Sequence, residues 1–393
     1  MTAHLACAAR ERPRFEIGDI VRQHREELER ARPLNIDQRR ALSAIALCRT
    51  AALGGHLDVC TACGHQHPVY HSCRNRHCPK CQALAQEKWV DERLARILPV
   101  PHFHVVFTLP AELRSLAAFR KAAVYDLLFE TASATLLDVG RGEKLGGLLG
   151  ITAVLHTWTR KLEMHPHLHC IVTGGALAPT GERWIRRDKY LLPVRVLSDV
   201  FRGKFIAALR REHARKSFDG FDAFGDPEGF ERLCSAMTKH RWVVYAKKPF
   251  AGTDQVYRYL GRYTHRVGIA NSRLVDVDDE HVRFRTKDGE AISLSPVDFL
   301  TRFVQHVLPK GFVKIRHFGL YAAAHVKGKL EIARAQLRPV RPTDHAPVAT
   351  GYLEILLALT GRDARRCVLC GGPVVIFALP SGYIPPTARA PPT

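Results

Sequence analysis

Residues Lys161–Gly175 read KLEMHPHLHCIVTGG, with His165, His167 and His169 two residues apart. A β-strand has a side-chain period of two, so these three histidines share one face of a strand. Two imidazoles on one strand face can hold a metal ion, and they can equally be ordinary core or surface histidines. Pro166 has no N–H for a sheet ladder and fits best at the start of the strand, which leaves His167 and His169 as its interior histidines. A second triplet, His102-Phe103-His104, lies in a similarly strand-like context, PHFHVVFTLP, so the spacing alone does not choose between them.

The rest of the chain narrows the choice. With 393 residues there is room for two or three domains and a substantial core. Lys and Arg total 59 against 38 acids, a formal net charge of +21, which points to a polyanionic partner, DNA or RNA before a membrane. The first residues, MTAHLACAARERPRF, lack the apolar run of a signal peptide, and no uncharged stretch reaches the roughly 20 residues of a membrane span. A cytoplasmic, nucleoid-associated bacterial protein without a membrane partner is expected.

The eleven cysteines are bunched. Five lie between Cys60 and Cys81, in the spacing Cys60-x2-Cys63, then Cys73-x4-Cys78-x2-Cys81. Without an export signal such bunching reads as metal binding rather than as a disulfide framework. Two C-x-x-C turns can clasp one tetrahedral zinc ion, so Cys60, Cys63, Cys78 and Cys81 are the expected ligands, with Cys73 or a nearby histidine as a substitute. Arg74, Arg76 and Lys80 sit among them with no acid from 71 to 81, a basic loop suited to phosphate contacts. Cys367-x2-Cys370 is a lone pair: half of a site, a partner of distant ligands, or no site at all.

The expected domains are a helical N-terminus with a zinc-binding module (1–98), a central α+β domain (99–275), a basic C-terminal extension with a hairpin turning at Asp288-Gly289 (276–375) and a proline-rich, disordered tail (376–393). In DQVYRYLGRYTHRVGIANSRL, Gln255, Tyr259 and Tyr263 are spaced by four, as are Arg258, Arg262 and Arg266. On a helix each set forms a stripe. Arginines beside a tyrosine face suit a phosphodiester: the cations hold the phosphate and a phenolic oxygen stands ready to attack. Packing tyrosines with hydrogen-bonded hydroxyls would show the same spacing.

Four stretches in order, YHSCRNRHCPKCQ, HPHLHCIVTGG, YLGRYTHRVGIANSR and QHVLPKGFVKIRHFG, together resemble the IS91-type transposases, within the wider class of His-hydrophobic-His, tyrosine-dependent DNA nucleases. The likeness runs from about residue 60 to 320. It implies an antiparallel sheet flanked by helices, preceded by a small zinc-binding domain. It also implies that His167 and His169 bind a catalytic Mg²⁺ or Mn²⁺ and that Tyr259 and Tyr263 are the nucleophiles. In that class a third side chain completes the metal site; Gln255, His265 and His165 are the candidates. His102 and His104 then belong to an early strand of the nuclease domain and mimic the site. The implied activity is rolling-circle transposition of single-stranded DNA through 5′-phosphotyrosine links. A plasmid or phage replication initiator or a relaxase shares that chemistry, and a non-catalytic zinc-dependent DNA-binding protein is the more distant alternative.

Overall fold

The computed structural model describes residues 13–94, 96–142, 145–189, 191–221, 226–247, 268–286, 288–337 and 352–384. In chain order the main elements are α1 (Ile17–Ala31), α2 (Ile36–Leu47), β1 (Gly55–Cys60), β2 (Gln66–Tyr70), α3 (Ala83–Leu94), β3 (His102–Thr108), α4 (Arg114–Phe119) and α5 (Lys121–Arg141). They continue with β4 (Gly150–Trp158), β5 (Met164–Thr173), β6 (Gly175–Leu177), β7 (Trp184–Arg186), α6 (Val194–Ala214), α7 (Pro227–Thr238) and β8 (Val244–Lys247). The last are β9 (Leu274–Val277), β10 (Val282–Arg285), β11 (Ala291–Leu294), α8 (Pro296–Gln305), β12 (Ile315–Gly319), α9 (Lys329–Gln336), α10 (Tyr352–Thr360) and β13 (Val374–Leu379).

These elements form two compact units, and neither is a continuous segment. One comprises residues 1–91, 265–307 and 345–393; the other comprises 92–264 and 308–344. The linear division expected from the sequence differs from this. The proposed C-terminal extension is shared: β9 to α8 fold with the N-terminal unit, and β12 folds with the central one. Nor is the tail beyond residue 375 wholly unstructured, since β13 runs to Leu379 and pairs with β1.

In the first unit, Asn35 and Gln38 form a reciprocal capping box that starts α2. Helix α1 packs its apolar face, with Ile20 and Leu28 fully buried, against α2 and α8. Two bonds fix distant segments: the Ile17 N–H donates to Asn271 Oδ1 at 3.2 Å, and Gln38 Nε2 donates to the Val304 carbonyl at 3.0 Å. Strands β9, β10 and β11 form a meander, with Gly289 at φ 90° in the expected turn.

The second unit is built on a five-stranded sheet in the order β12-β4-β5-β3-β8, and every neighbouring pair is antiparallel. Alternation gives each strand one apolar face. Phe103, Val105 and Phe107 of β3, Ile151, Ala153 and Leu155 of β4, and Leu168, Cys170 and Val172 of β5 share a single core with α4, α5 and α6. Phe107 meets Phe201 of α6 edge to face, with ring centroids 5.0 Å apart. The opposite face of the same strands carries the histidines.

Pro166 is the third residue of β5, not the first. The register accounts for this. His156 pairs with His167 and Trp158 with Met164, so His165 and Pro166 together oppose the single residue Thr157. The chain bulges there, and a bulge tolerates a residue with no N–H.

Candidate active site and metal-binding clusters

The histidine face is assembled by register between β3, β4 and β5. His156 lies directly across from His167, and Val154 across from His169. The ring centroids of His156 and His169 are 4.2 Å apart, and those of His167 and His169 are 4.8 Å apart. One nitrogen from each of His156, His167 and His169 lies within 4.8 Å of the other two, so the three converge on a position that one ion can bridge. The expected pair is therefore brought together, and His156 joins it. His165 is not in the cluster. Gln255, Arg258, Tyr259, Arg262, Tyr263, His265 and Arg266 lie outside the described residues.

The other ring nitrogens hold the histidines in place. His167 Nδ1 lies 2.7 Å from the His165 carbonyl oxygen, to which its N–H donates, leaving Nε2 with a lone pair for a metal. His169 Nδ1 lies 2.7 Å from His104 Nε2. With the proton on His169 Nδ1, its Nε2 carries a lone pair that can ligate an ion. The second triplet thus has two structural tasks. His104 braces His169, while His102 is pinned between the Val100 carbonyl (2.8 Å) and the Tyr321 hydroxyl (2.9 Å).

Burial is the main cause of the low basicity of this face. It holds His167 down to about 4, and His102 likewise. His156 is pushed well below its ordinary value by burial and then by its histidine neighbours. Neutral imidazole is the form that binds metal. Lys247 stands opposite His104, and both Lys314 and Arg114 bear electrostatically on the face, the first on His156 and the second on His165. A histidine face with cations near it suits a phosphate group.

His102 gives a test of this burial. Unfolded, it takes up a proton near pH 6.5; folded, only near pH 4. Between these values the unfolded chain binds more protons, so its contribution to stability is complete above pH 6.5 and is lost as pH falls toward 4. The expected loss is about 3 kcal/mol from this one residue. Urea unfolding at stepped pH should show the decline, and His102→Gln should make it shallower, since His167 and His156 contribute in the same range. An equal slope in the variant would refute the assignment.

The cysteines divide differently from the sequence reading. Cys48, Cys73, Cys78 and Cys81 form one group, and Cys60, Cys63, Cys367 and Cys370 another, with all four sulfurs of each group within 4.8 Å of one another. Cys60 and Cys63 therefore do not join Cys78 and Cys81, and Cys73 is a full member of its group rather than a substitute. The reason is topological: β1 carries Cys60 away from the 73–81 loop and into register with β13. Cys48, the C-cap of α2, completes the first group; its N-terminal separation from the other cysteines hid it. In that group the Cys73 and Cys81 sulfurs are 3.7 Å apart, and the Cys73 N–H donates to Cys48 Sγ at 3.5 Å. A tetrahedron with metal–sulfur bonds of about 2.3 Å has edges of about 3.8 Å. The Cys78 thiol is pushed up by neighbouring Cys48, Cys73 and Cys81, since crowded thiolates need a cation to coexist.

Of the basic residues in this loop, Arg74 alone is exposed, in a left-handed conformation with φ 52°. Lys80 is ion-paired with Glu16, and Arg76 is lowered in basicity by burial. Of the three expected phosphate contacts, Arg74 is thus the most accessible, while Arg76 and Lys80 are partly buried.

A cysteine-rich zinc-binding domain in one unit and three convergent histidines on an antiparallel sheet in the other are features expected of a DNA-processing enzyme. Residues 20–109 match a family described as a transposase zinc-binding domain, and residues 150–329 match one described as a putative transposase. The chain is 43% identical over 375 residues to a putative transposase, y4qJ, of Sinorhizobium fredii, covering 90% of this chain and 92% of that one. It is 30% identical over 364 residues to the transposase for insertion sequence element IS801 of Pseudomonas savastanoi pv. phaseolicola, covering 85% and 82%. The chain belongs to the IS91 family of transposases, with an N-terminal zinc-binding domain, and DNA is its partner. No solved structure matches it. Among the described residues no helix is long and apolar enough to cross a membrane.

Proposed function

We propose that this transposase cuts and rejoins single-stranded DNA at the ends of its element, with Tyr259 and Tyr263 as nucleophiles and His156, His167 and His169 as the metal ligands. The convergence of the three imidazoles on one sheet face carries the reading. Three nitrogen donors suit Mn²⁺ better than Mg²⁺, which prefers oxygen. A bound ion there polarises the scissile phosphate and offsets the charge gathering on its oxygens.

The chain's own groups do the remainder. Lys247, Lys314 and Arg114 attract the phosphodiester to the histidine face. A tyrosine oxygen, losing its proton, forms a bond to phosphorus while the bond to the 3′-oxygen breaks. The 3′-oxygen takes up a proton and leaves as a free hydroxyl, and the 5′-phosphate stays on the tyrosine. Attack by another 3′-hydroxyl reverses the step and joins a new strand, so the phosphodiester energy is conserved. A second tyrosine allows a second cut while the first link persists. The Cys48 group serves as the structural zinc site of the N-terminal domain.

The test is incubation with labelled single strands from the element's own ends and Mn²⁺ or Mg²⁺. A protease-sensitive, 5′-linked adduct is expected, reduced by Tyr259→Phe or Tyr263→Phe and abolished by the double variant. An undiminished adduct in the double variant would overturn the assignment. DNA binding without any adduct would favour the non-catalytic alternative. Cleavage without joining to a target strand would favour a replication initiator.

A further inference from the structure

We infer that the chain binds a second structural zinc ion, held by Cys60 and Cys63 from the N-terminal domain and by Cys367 and Cys370, which follow Cys63 and Cys60 by 304 and 310 residues. Residues 367–370 lie outside both segments matched by the family comparisons. The inference concerns metal content and stands apart from the nuclease reading.

The two halves are copies of one local structure. Cys60-Thr-Ala-Cys63-Gly64 and Cys367-Val-Leu-Cys370-Gly371 each turn sharply and end on a left-handed glycine, φ 70° and 73°. In each turn the glycine N–H donates to the first cysteine's carbonyl, at 3.0 Å in both cases. In each, the first cysteine's N–H donates five residues on, to His65 at 2.9 Å and to Gly372 at 2.8 Å. Backbone N–H groups also point at the sulfurs: Cys63 at Cys60 (3.5 Å), Leu369 at Cys367 (3.4 Å) and Gly372 at Cys370 (3.4 Å). Such donors stabilise thiolates.

The halves face one another with their sulfurs at tetrahedral spacing. Cys60 and Cys370 are 3.5 Å apart, and Cys63 and Cys367 are 3.7 Å apart. The approach leaves no room to spare. A Cβ at Gly372 would lie 2.8 Å from the Ala62 Cβ and 3.2 Å from the sulfurs of both Cys60 and Cys370. Four thiolates with closed tetrahedral spacing are the signature of a structural zinc site.

The ion has work to do at this place. It clasps β13 onto β1 across the six residue pairs from Gly55 with Leu379 to Cys60 with Val374. Val375, Ile376 and Phe377 of β13 are exposed, so apolar burial holds the strand weakly. Closing a loop of this length carries a large entropic cost that metal ligation offsets. The zinc-binding domain is thereby completed by the last part of the chain.

Metal analysis of the full-length protein, purified under reducing conditions, tests this. Two zinc ions per chain are expected, and one in Cys367→Ser/Cys370→Ser. Unchanged zinc content in that variant would overturn the inference, as would four sulfurs found as disulfides without zinc. Should the variant fail to fold, cadmium-113 NMR of the unaltered chain decides: two tetrathiolate resonances support the second site, and a single one refutes it.

Discussion

Replacing His167 or His169 by alanine is expected to lower single-strand cleavage by roughly 10³-fold, with DNA binding retained. In the proposed site each would supply one of three imidazoles to an ion, and the cations near the histidines would continue to attract the strand. His156→Ala should fall in the same range, because its ring is 4.2 Å from that of His169 and shares the same ion. His104→Ala should do less, about 10–100-fold, since His104 lies outside the three-histidine cluster and braces His169 through the 2.7 Å bond. That loss should appear as a higher Mn²⁺ concentration for half-maximal adduct, and His104→Gln should recover part of it by restoring a hydrogen-bonding group. Adduct formation titrated against Mn²⁺ for the four variants makes the measurement. Cleavage at the unaltered rate in His167→Ala would sink the proposed metal site.

Cys78→Ser should unfold the N-terminal zinc-binding domain. Cys78 is buried at 1% exposure and belongs to the Cys48 group. The loop it anchors has few apolar side chains, so metal ligation supplies its folding free energy, on the order of 10 kcal/mol for a site of this type. Hydrogen exchange over residues 48–82 should lose its protection, and chelation of the unaltered chain should produce the same change. Cys234→Ala is the control: that cysteine is buried in the core of the other unit and should leave zinc content unaltered. Retained protection in Cys78→Ser would show that the domain folds without its metal.

Local patterns were legible because local geometry follows from spacing. The strand period placed His167 and His169 on one face, the C-x-x-C turns marked zinc, and Asp288-Gly289 marked a hairpin. The antiparallel sheet flanked by helices was legible too, through the resemblance of the motifs to a known family. His156 was not. It sits in GITAVLHTW, where a single histidine in an apolar run gives no sign of its neighbours. Only the β4–β5 register and its bulge bring it across from His167. The ion pair of Lys80 with Glu16 and the partial burial of Arg76 were hidden from the sequence for a similar reason. A run of basic residues shows charge, but not which side chains fold inward.

By itself, the sequence determined the family, the DNA partner, the strand that carries His167 and His169 and the presence of zinc-binding turns. Each depends on residues a few positions apart, where bond geometry leaves little choice. The tertiary structure decided which turns face one another. It paired β1 with β13, so Cys60 and Cys63 joined Cys367 and Cys370, while Cys48 completed the group formed by Cys73, Cys78 and Cys81. It also placed β12 at the edge of the central sheet and gave His102 and His104 supporting roles. Such pairings join segments tens to hundreds of residues apart. They are set by strand register and core packing summed over the whole fold, and no short stretch of sequence contains that sum.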